Sequence, residues 1–321
     1  MSYLGGKCDG SGYWGIYDGE EEINMANSTS AKRQEELPAK KAGELLIGND
    51  LRVTRLGYGA MRITGEGIWG EPADRVEAVR VLRKAVELGI SFIDTADSYG
   101  PEVSEKIIAE ALHPYPADLV IATKGGFDRT GPNKWVENGR PEHLRSACEG
   151  SLRRLRLEQI ALYQLHRIDP KVPAEEQLGT LKELQAEGKI KHIGLSEVSV
   201  QQIQHAQTIV PIVSVQNRYS LTDRGSEAVL QYCEQQKLGF IPWFPLAAGK
   251  LSGGESPIGR VAAKLKVTPS EVALAWLLAR SPVMLPIPGT SSVKHLEENV
   301  AAAGLKIDKE KMEELNQAAR G

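Results

Sequence analysis

The feature that most limits how this chain can fold is an alternation that begins near residue 44 and continues to the last residues. Short apolar segments recur near Leu56–Met61, Ser91–Asp94, Leu119–Lys124, Ile160–His166, His192–Ser196, Val213–Asn217, Phe240–Phe244 and Met284–Pro288. Between them lie stretches with apolar residues at helical spacing. In residues 141–155, Leu144, Ala147, Cys148, Leu152 and Leu155 share one stripe. Pro141 stands at the start of that stretch, where a missing N–H costs nothing, and Gly89 and Gly188 follow helical stretches as terminators. Strand–helix repeats of this kind are the signature of parallel βαβ units. Eight of them close into a (β/α)8 TIM barrel, an α/β fold that needs about 250 residues and leaves room for extensions within 321. The alternative, a doubly wound open sheet, lacks its phosphate loop, because Gly57-Tyr-Gly59 runs on into Ala-Met-Arg without a third glycine.

Ahead of the first barrel strand, Leu45–Val53 reads as a short hairpin, two apolar runs around a Gly-Asn-Asp turn. Residues 1–43, rich in Gly, Ser, Glu and Lys and without sustained periodicity, read as a mobile N-terminal tail, which leaves 44–321 as a single domain. Met25 opens a more ordinary-looking start, and one hypothesis is that residues 1–24 derive from an upstream start codon.

Composition narrows the function classes. Hydrophobic residues make up 41% and charged residues 25%, as in ordinary globular proteins, and the formal net charge of -3 offers no electrostatic case for nucleic acid or an anionic membrane. The three cysteines, Cys8, Cys148 and Cys233, are too few and scattered for a disulfide frame or a metal cluster. No apolar run is long enough to span a bilayer, and the acidic run Asp18 to Glu22 argues against an organellar address, so a cytoplasmic protein is expected. No metal-ligand spacing is present, so no metal is expected.

In a (β/α)8 barrel the chemistry comes from the C-terminal ends of strands and the loops after them. Those ends carry Asp94 after the second strand with Tyr99 in its loop, Lys124 at the third and His166 at the fourth. Reducing a carbonyl requires a hydride on carbon and a proton on oxygen. A tyrosine with its ordinary pKa of about 10 is a sluggish acid, and a neighbouring ammonium such as Lys124 lowers that pKa. Asp94 would keep Lys124 charged, and His166 would donate to the carbonyl oxygen and steady its developing charge. Each residue alone also fits a core tyrosine, a salt bridge or a buried histidine; the set is harder to explain that way.

The segments Phe92-Ile-Asp-Thr-Ala-Asp-Ser-Tyr-Gly100, Ala122-Thr-Lys124 and Leu162-Tyr-Gln-Leu-His166 resemble the aldo-keto reductase family, and the resemblance covers roughly residues 45–320. It is most like a bacterial subgroup that includes pyridoxal reductases, on Gly67-Ile-Trp-Gly-Glu-Pro72 and Leu285-Pro-Ile-Pro-Gly-Thr-Ser-Ser292. The resemblance implies the barrel with the hairpin closing its bottom. It implies Tyr99 as general acid/base, Lys124 and Asp94 as its tuning pair, and His166 as the group that places the carbonyl. It further implies NADPH, with NADH the alternative, and a small-molecule carbonyl substrate.

Cofactor positions follow from the same resemblance. Ser196 and Gln216 match residues that bond the nicotinamide carboxamide, and Trp243 matches an aromatic that stacks on the ring. The family commonly has Asn after that Ser, whereas this chain has Glu197, which can accept from an amide NH₂ but cannot donate. Gly289, Thr290 and Ser291, then His295 and Asn299 on the following helix, stand where the family holds the adenosine phosphates and adenine. Backbone N–H groups at a helix start suit phosphate on their own account. The glycine-rich loop from Leu246 to Gly254 reads either as a cover for the pyrophosphate or as an ordinary connection.

Trp69, Phe127 and Trp135, in the first and third loops, either line an apolar mouth or anchor their loops. Two other function classes stay open: a cofactor-sensing regulatory subunit, and a different barrel enzyme with Lys124 as a Schiff-base nucleophile. The oligomeric state is not legible.

Overall fold

The computed structural model describes residues 37–246 and 256–318. The first strands form a hairpin, β1 (Glu44–Ile47) and β2 (Leu51–Thr54), with Ile47 opposite Leu51. Gly48 and Asn49 hold left-handed φ values of 62° and 71° at its turn, a conformation that glycine and asparagine tolerate best. At the tip, Asp50 takes a hydrogen bond at 2.6 Å from His192 and an ion pair at 2.8 Å from Lys191.

Strands and helices then alternate. In chain order they are β3 (Tyr58–Gly59), α1 (Arg75–Glu87), β4 (Phe92–Asp94), α2 (Val103–Leu112), β5 (Val120–Gly125), a second hairpin β6 (Phe127–Gly131) with β7 (Lys134–Glu137), and α3 (Pro141–Leu155). The repeat continues through β8 (Ile160–Leu165), α4 (Ala174–Ala186), β9 (Ile190–Ser196), α5 (Val200–Gln207), β10 (Ile212–Gln216), α6 (Glu227–Gln236) and β11 (Gly239–Phe240). The helices α7 (Pro257–Leu265), α8 (Pro269–Arg280) and α9 (Val293–Ala301) follow. Strands β3, β4, β5, β8, β9, β10 and β11 form one parallel sheet in chain order, the arrangement of an α/β barrel.

The expected eighth strand, Met284–Pro288, is present as a seam rather than a regular strand. Leu285 donates to the Phe240 carbonyl at 2.8 Å on one side. On the other side the Pro286 and Pro288 carbonyls accept from Gly57 at 2.9 Å and Gly59 at 3.4 Å. Two prolines have no N–H to return, so this half of the ladder runs one way only. The backbones meet closely there: a Cβ on Gly59 would sit 2.6 Å from the Ile287 carbonyl oxygen, so Gly57-Tyr-Gly59 serves the closing seam.

The helices bury one face each. In α1 the buried residues are Ala78, Val79, Val81, Leu82 and Ala85, and the Asp74 side chain caps its start. In α3, Pro141 occupies the first turn, and Leu144, Cys148 and Leu155 of the predicted stripe are buried. Gly89 and Gly188, just past helix ends, take φ values of 93° and 76°. One correction concerns the tail. Residues 38–42, counted with it from composition, form a 3₁₀ turn whose Ala39 is fully buried and bonds the Leu88 carbonyl at 3.0 Å. Lys40 and Lys41, which follow it, hid that contact, since one buried alanine leaves no periodic signal. Residues 1–36 lie outside the described residues. Among those described, no helix is long and apolar enough to cross a membrane.

Candidate active site

Parallel pairing places the polar strand ends side by side. Lys124 of β5 is the register partner of Gln164 in β8, and Ser196 of β9 is the partner of Gln216 in β10. Asp94 ends β4, and Tyr99 stands in the loop before α2, its N–H bonded to the Ala96 carbonyl at 3.2 Å. His166 follows β8, held by its own N–H on the Gly125 carbonyl at 2.9 Å.

Lys124 is the centre of the arrangement and is fully buried. Its Nζ donates to Asp94 Oδ2 at 2.6 Å, to the Thr95 carbonyl at 2.8 Å and to Tyr99 Oη at 3.3 Å, which uses all three ammonium hydrogens. The other Asp94 oxygen, Oδ1, accepts from Gln216 Nε2 at 2.8 Å and Gln164 Nε2 at 3.0 Å. No sequence reading singled out Gln164, although its position two residues before His166 on one strand put it on the same face. The four residues expected to work together therefore meet, with His166 and Tyr99 ring centroids 5.9 Å apart.

Burial pulls the Lys124 pKa down, but attraction to Asp94 and Tyr99 outweighs it and the ammonium is held above its ordinary value. A charged lysine with its hydrogens committed is a poor amine nucleophile. For Tyr99 the outcome differs from the sequence expectation. Lys124 does pull its pKa down, yet burial pushes harder and the net shift is upward. His166 lies well below its usual range, chiefly through burial and then through Lys124, Arg167 and Arg129, so its ring is neutral. Its Nδ1 faces Ser98 Oγ at 3.4 Å. When Ser98 donates, the ring hydrogen sits on Nε2.

Above this floor opens a cavity of about 550 Å³. Phe127 and Trp135, brought over it by the β6–β7 hairpin, form one wall; their centroids lie 4.7 Å and 6.2 Å from the His166 ring. Trp69 is not among the lining residues and bridges to Gly100 instead, so of the three loop aromatics it is the anchor. Met61, Ile68, Glu137 and Arg167 also line it.

The residues expected at the cofactor divide. Ser196, Gln216, Trp243, Leu246 and Gly289 line the cavity. Thr290, Ser291, His295 and Asn299 do not; Ser291 and His295 are exposed at the start of α9, and Asn299 is buried along it. Amides at that helix start are already engaged: Val293 N–H donates to Glu77 Oε1 at 3.2 Å, Ser292 N–H to Thr290 Oγ1 at 3.1 Å and His295 N–H to Ser292 Oγ at 3.5 Å. Residues 247–255, which hold most of the glycine-rich loop, lie outside the described residues. Glu197, whose role the sequence left open, is engaged within the protein. Its Oε1 accepts from the Trp243 indole N–H and from the Arg218 backbone N–H, each at 2.6 Å.

Residues 55–320 match the aldo/keto reductase family. The chain belongs to that family. Among its relatives, an uncharacterized oxidoreductase of Schizosaccharomyces pombe is 51% identical over 282 residues, spanning 88% of this chain and 92% of that protein. A pyridoxine 4-dehydrogenase of Escherichia coli is 43% identical over 274 residues, spanning 84% of this chain and 96% of that one. A solved structure of an aldo/keto reductase from Klebsiella pneumoniae in complex with NADP and acetate superposes with a TM-score of 0.72 at 28% identity, over 85% of this chain and 94% of that one.

Aldo/keto reductases act on small-molecule carbonyls with a nicotinamide cofactor, and the cavity offers groups that fit one. Both Gln216 amide hydrogens are spent on Asp94 and on Gln164 Oε1, the latter at 3.3 Å, so its carbonyl oxygen is the group it offers. Ser196 Oγ accepts from Arg167 at 3.1 Å, which leaves its hydroxyl hydrogen to give. An acceptor and a donor on adjacent strands complement a primary carboxamide.

Proposed function

We propose that this chain reduces small aromatic aldehydes of the pyridoxal type to alcohols with NADPH, NADH being the alternative. The observation that carries the reading is the convergence of Lys124 on Asp94 and on Tyr99 Oη beneath a cavity walled by Phe127 and Trp135. The bound cofactor supplies the hydride. Ser196 and Gln216 hold its carboxamide, Trp243 flanks its ring, and Leu246 and Gly289 border it. Thr290, Ser291, His295 and Asn299 receive the adenosine end beyond the cavity. The 43% identity to a pyridoxine 4-dehydrogenase and the aromatic wall support the substrate class; the NADP complex of the Klebsiella enzyme supports the cofactor.

The proton comes from Tyr99. Its raised pKa keeps the phenol protonated at neutral pH, so the acid is loaded when the carbonyl arrives. Once the proton leaves, the phenolate faces a buried ammonium at 3.3 Å, in surroundings where charge–charge attraction is strong. Asp94 keeps that ammonium charged and aimed. Neutral His166, with its hydrogen on Nε2, donates to the carbonyl oxygen without competing as an acid. We also read the β1–β2 hairpin as the plug of the barrel's N-terminal end. Ile47, Leu51 and Val53 share an apolar cluster with Phe92, Val120 and Leu162 from the strands above.

Absorbance at 340 nm with NADPH or NADH and a panel of aldehydes tests the reading. Oxidation of NADPH with pyridoxal, faster than with benzaldehyde, is expected. Pyridoxal turnover no better than that of generic aromatic aldehydes sinks the substrate assignment.

A further inference from the structure

Arg129 lies in β6, outside the reacting centre, and none of the sequence readings used it. Its guanidinium makes an unusual set of bonds. Nη1 donates to the Ser98 carbonyl at 2.6 Å and the Ile68 carbonyl at 2.9 Å. Nη2 donates to Gly67 at 3.1 Å and Gly131 at 3.4 Å, and Nε donates to Lys134 at 3.0 Å. Every acceptor is a backbone carbonyl, and they come from three different βα loops. Gly67 and Ile68 belong to the first, Ser98 to the second, and Gly131 and Lys134 to the hairpin of the third.

The same guanidinium lies 3.7 Å from the Trp135 ring centroid and 5.7 Å from that of Trp69. Trp135 in turn stands edge-on to Tyr99, at 6.3 Å, and to Phe127, at 5.4 Å. The hairpin also rests on the first loop directly, through Asn133 N–H on the Gly67 carbonyl at 2.9 Å. That loop is bent sharply, with left-handed φ values of 67° at Gly67 and 56° at Ile68. A turn of that kind holds its shape only when its carbonyls are tied down. Ile68 and Trp135, the two residues so fixed, both line the cavity.

We propose that Arg129 is the positioning residue that sets substrate selectivity. By clamping the first three loops together it holds Trp135 and Ile68 as a rigid wall for a flat aromatic carbonyl compound. A planar fork with five donors spans such a set of carbonyls, whereas a lysine offers one point charge on a flexible stem. A wall already fixed costs a flat substrate little to bind, because no loop has to order around it. A carbonyl compound too small to reach Trp135 gains nothing from the clamp.

The inference rests on the reductase reading, and the experiment separates the two. NADPH oxidation is followed with benzaldehyde and with acetaldehyde for the wild type, Arg129→Lys and Trp135→Leu, with melting temperature and NADPH binding measured alongside. For Arg129→Lys the ratio of kcat/KM for benzaldehyde over acetaldehyde should fall roughly tenfold, mainly through a higher KM for benzaldehyde. Trp135→Leu, with Arg129 intact, should lower the same ratio and keeps the test open if the lysine variant folds poorly. A ratio within about twofold of wild type in either folded variant overturns the proposal. Equal losses on both aldehydes also overturn it, because they assign Arg129 to general placement of the Tyr99 loop. Failure of the wild type with every aldehyde overturns the reductase reading, and the proposal with it.

Discussion

Glu197 Oε1 accepts the indole N–H of Trp243 at 2.6 Å, and the same oxygen receives the Arg218 amide. The backbone at Glu197 is left-handed, with φ 55°, at the bend where β9 gives way to its loop. The side chain therefore acts on a wall of the cavity from a strained position that only its bonds sustain. Removing it should loosen the Trp243 ring. In Glu197→Ala, NADPH affinity is expected to fall roughly tenfold with kcat changed much less, since a charged hydrogen bond is lost on one side only. Glu197→Gln keeps an acceptor oxygen and should stay close to wild type. Fluorescence titration with NADPH separates the two, and an alanine variant that binds normally refutes the role.

Tyr99→Phe removes the proposed proton donor while leaving a ring of the same shape. Carbonyl reduction should drop about 10²–10⁴-fold, the range of a lost general acid, while NADPH binding changes little. Single-turnover oxidation of bound NADPH is the direct measurement. Near wild-type turnover contradicts the assignment.

Lys124→Met tests the buried pair from the stability side. The variant leaves the buried Asp94 carboxylate with side-chain donors only from the amides of Gln164 and Gln216. Breaking a buried pair by removing one partner costs about 3–5 kcal/mol. The urea midpoint should fall accordingly, whereas in Lys124→Met/Asp94→Asn much of the loss should be restored. A single variant as stable as wild type would show that the pair contributes nothing to folding.

Asp97 carries a pH signature. Its Oδ1 is sealed from solvent with no hydrogen-bond partner among the described residues, and burial, reinforced by Glu105, pushes its pKa from 3.8 up to about 8. Between those values the folded protein keeps a proton that the unfolded chain has released. Stability due to this group is therefore present at low pH and is lost as pH rises towards the folded value. Asp97→Asn removes the dependence, so the variant should gain on wild type as pH rises from about 5 to 8. Parallel stability curves over that window would show that Asp97 is ionised throughout.

That Asp94, Tyr99, Lys124 and His166 would meet was legible because a parallel strand delivers its last residues to a known place. Asp94, Lys124 and His166 stand at or just past strand ends, and Tyr99 a few residues into a loop. Spacing along the chain was enough to bring them together. The sign of the Tyr99 shift was not legible, because burial and the Lys124 charge oppose each other and only the packed structure shows which is larger. The eighth strand was visible as an apolar segment, but two prolines leave its ladder to Gly57 and Gly59 with bonds in one direction only.

By itself the sequence determined the repeat, the chain order of the sheet and the residues presented at its rim, since period, polarity and strand ends are local properties. Only the tertiary structure decided what surrounds those residues. Arg129 reaches carbonyls 31 and 61 positions away, and Glu197 meets an indole 46 positions on. Such bonds depend on where loops from different strands come to rest, and residue type and spacing hold no record of that.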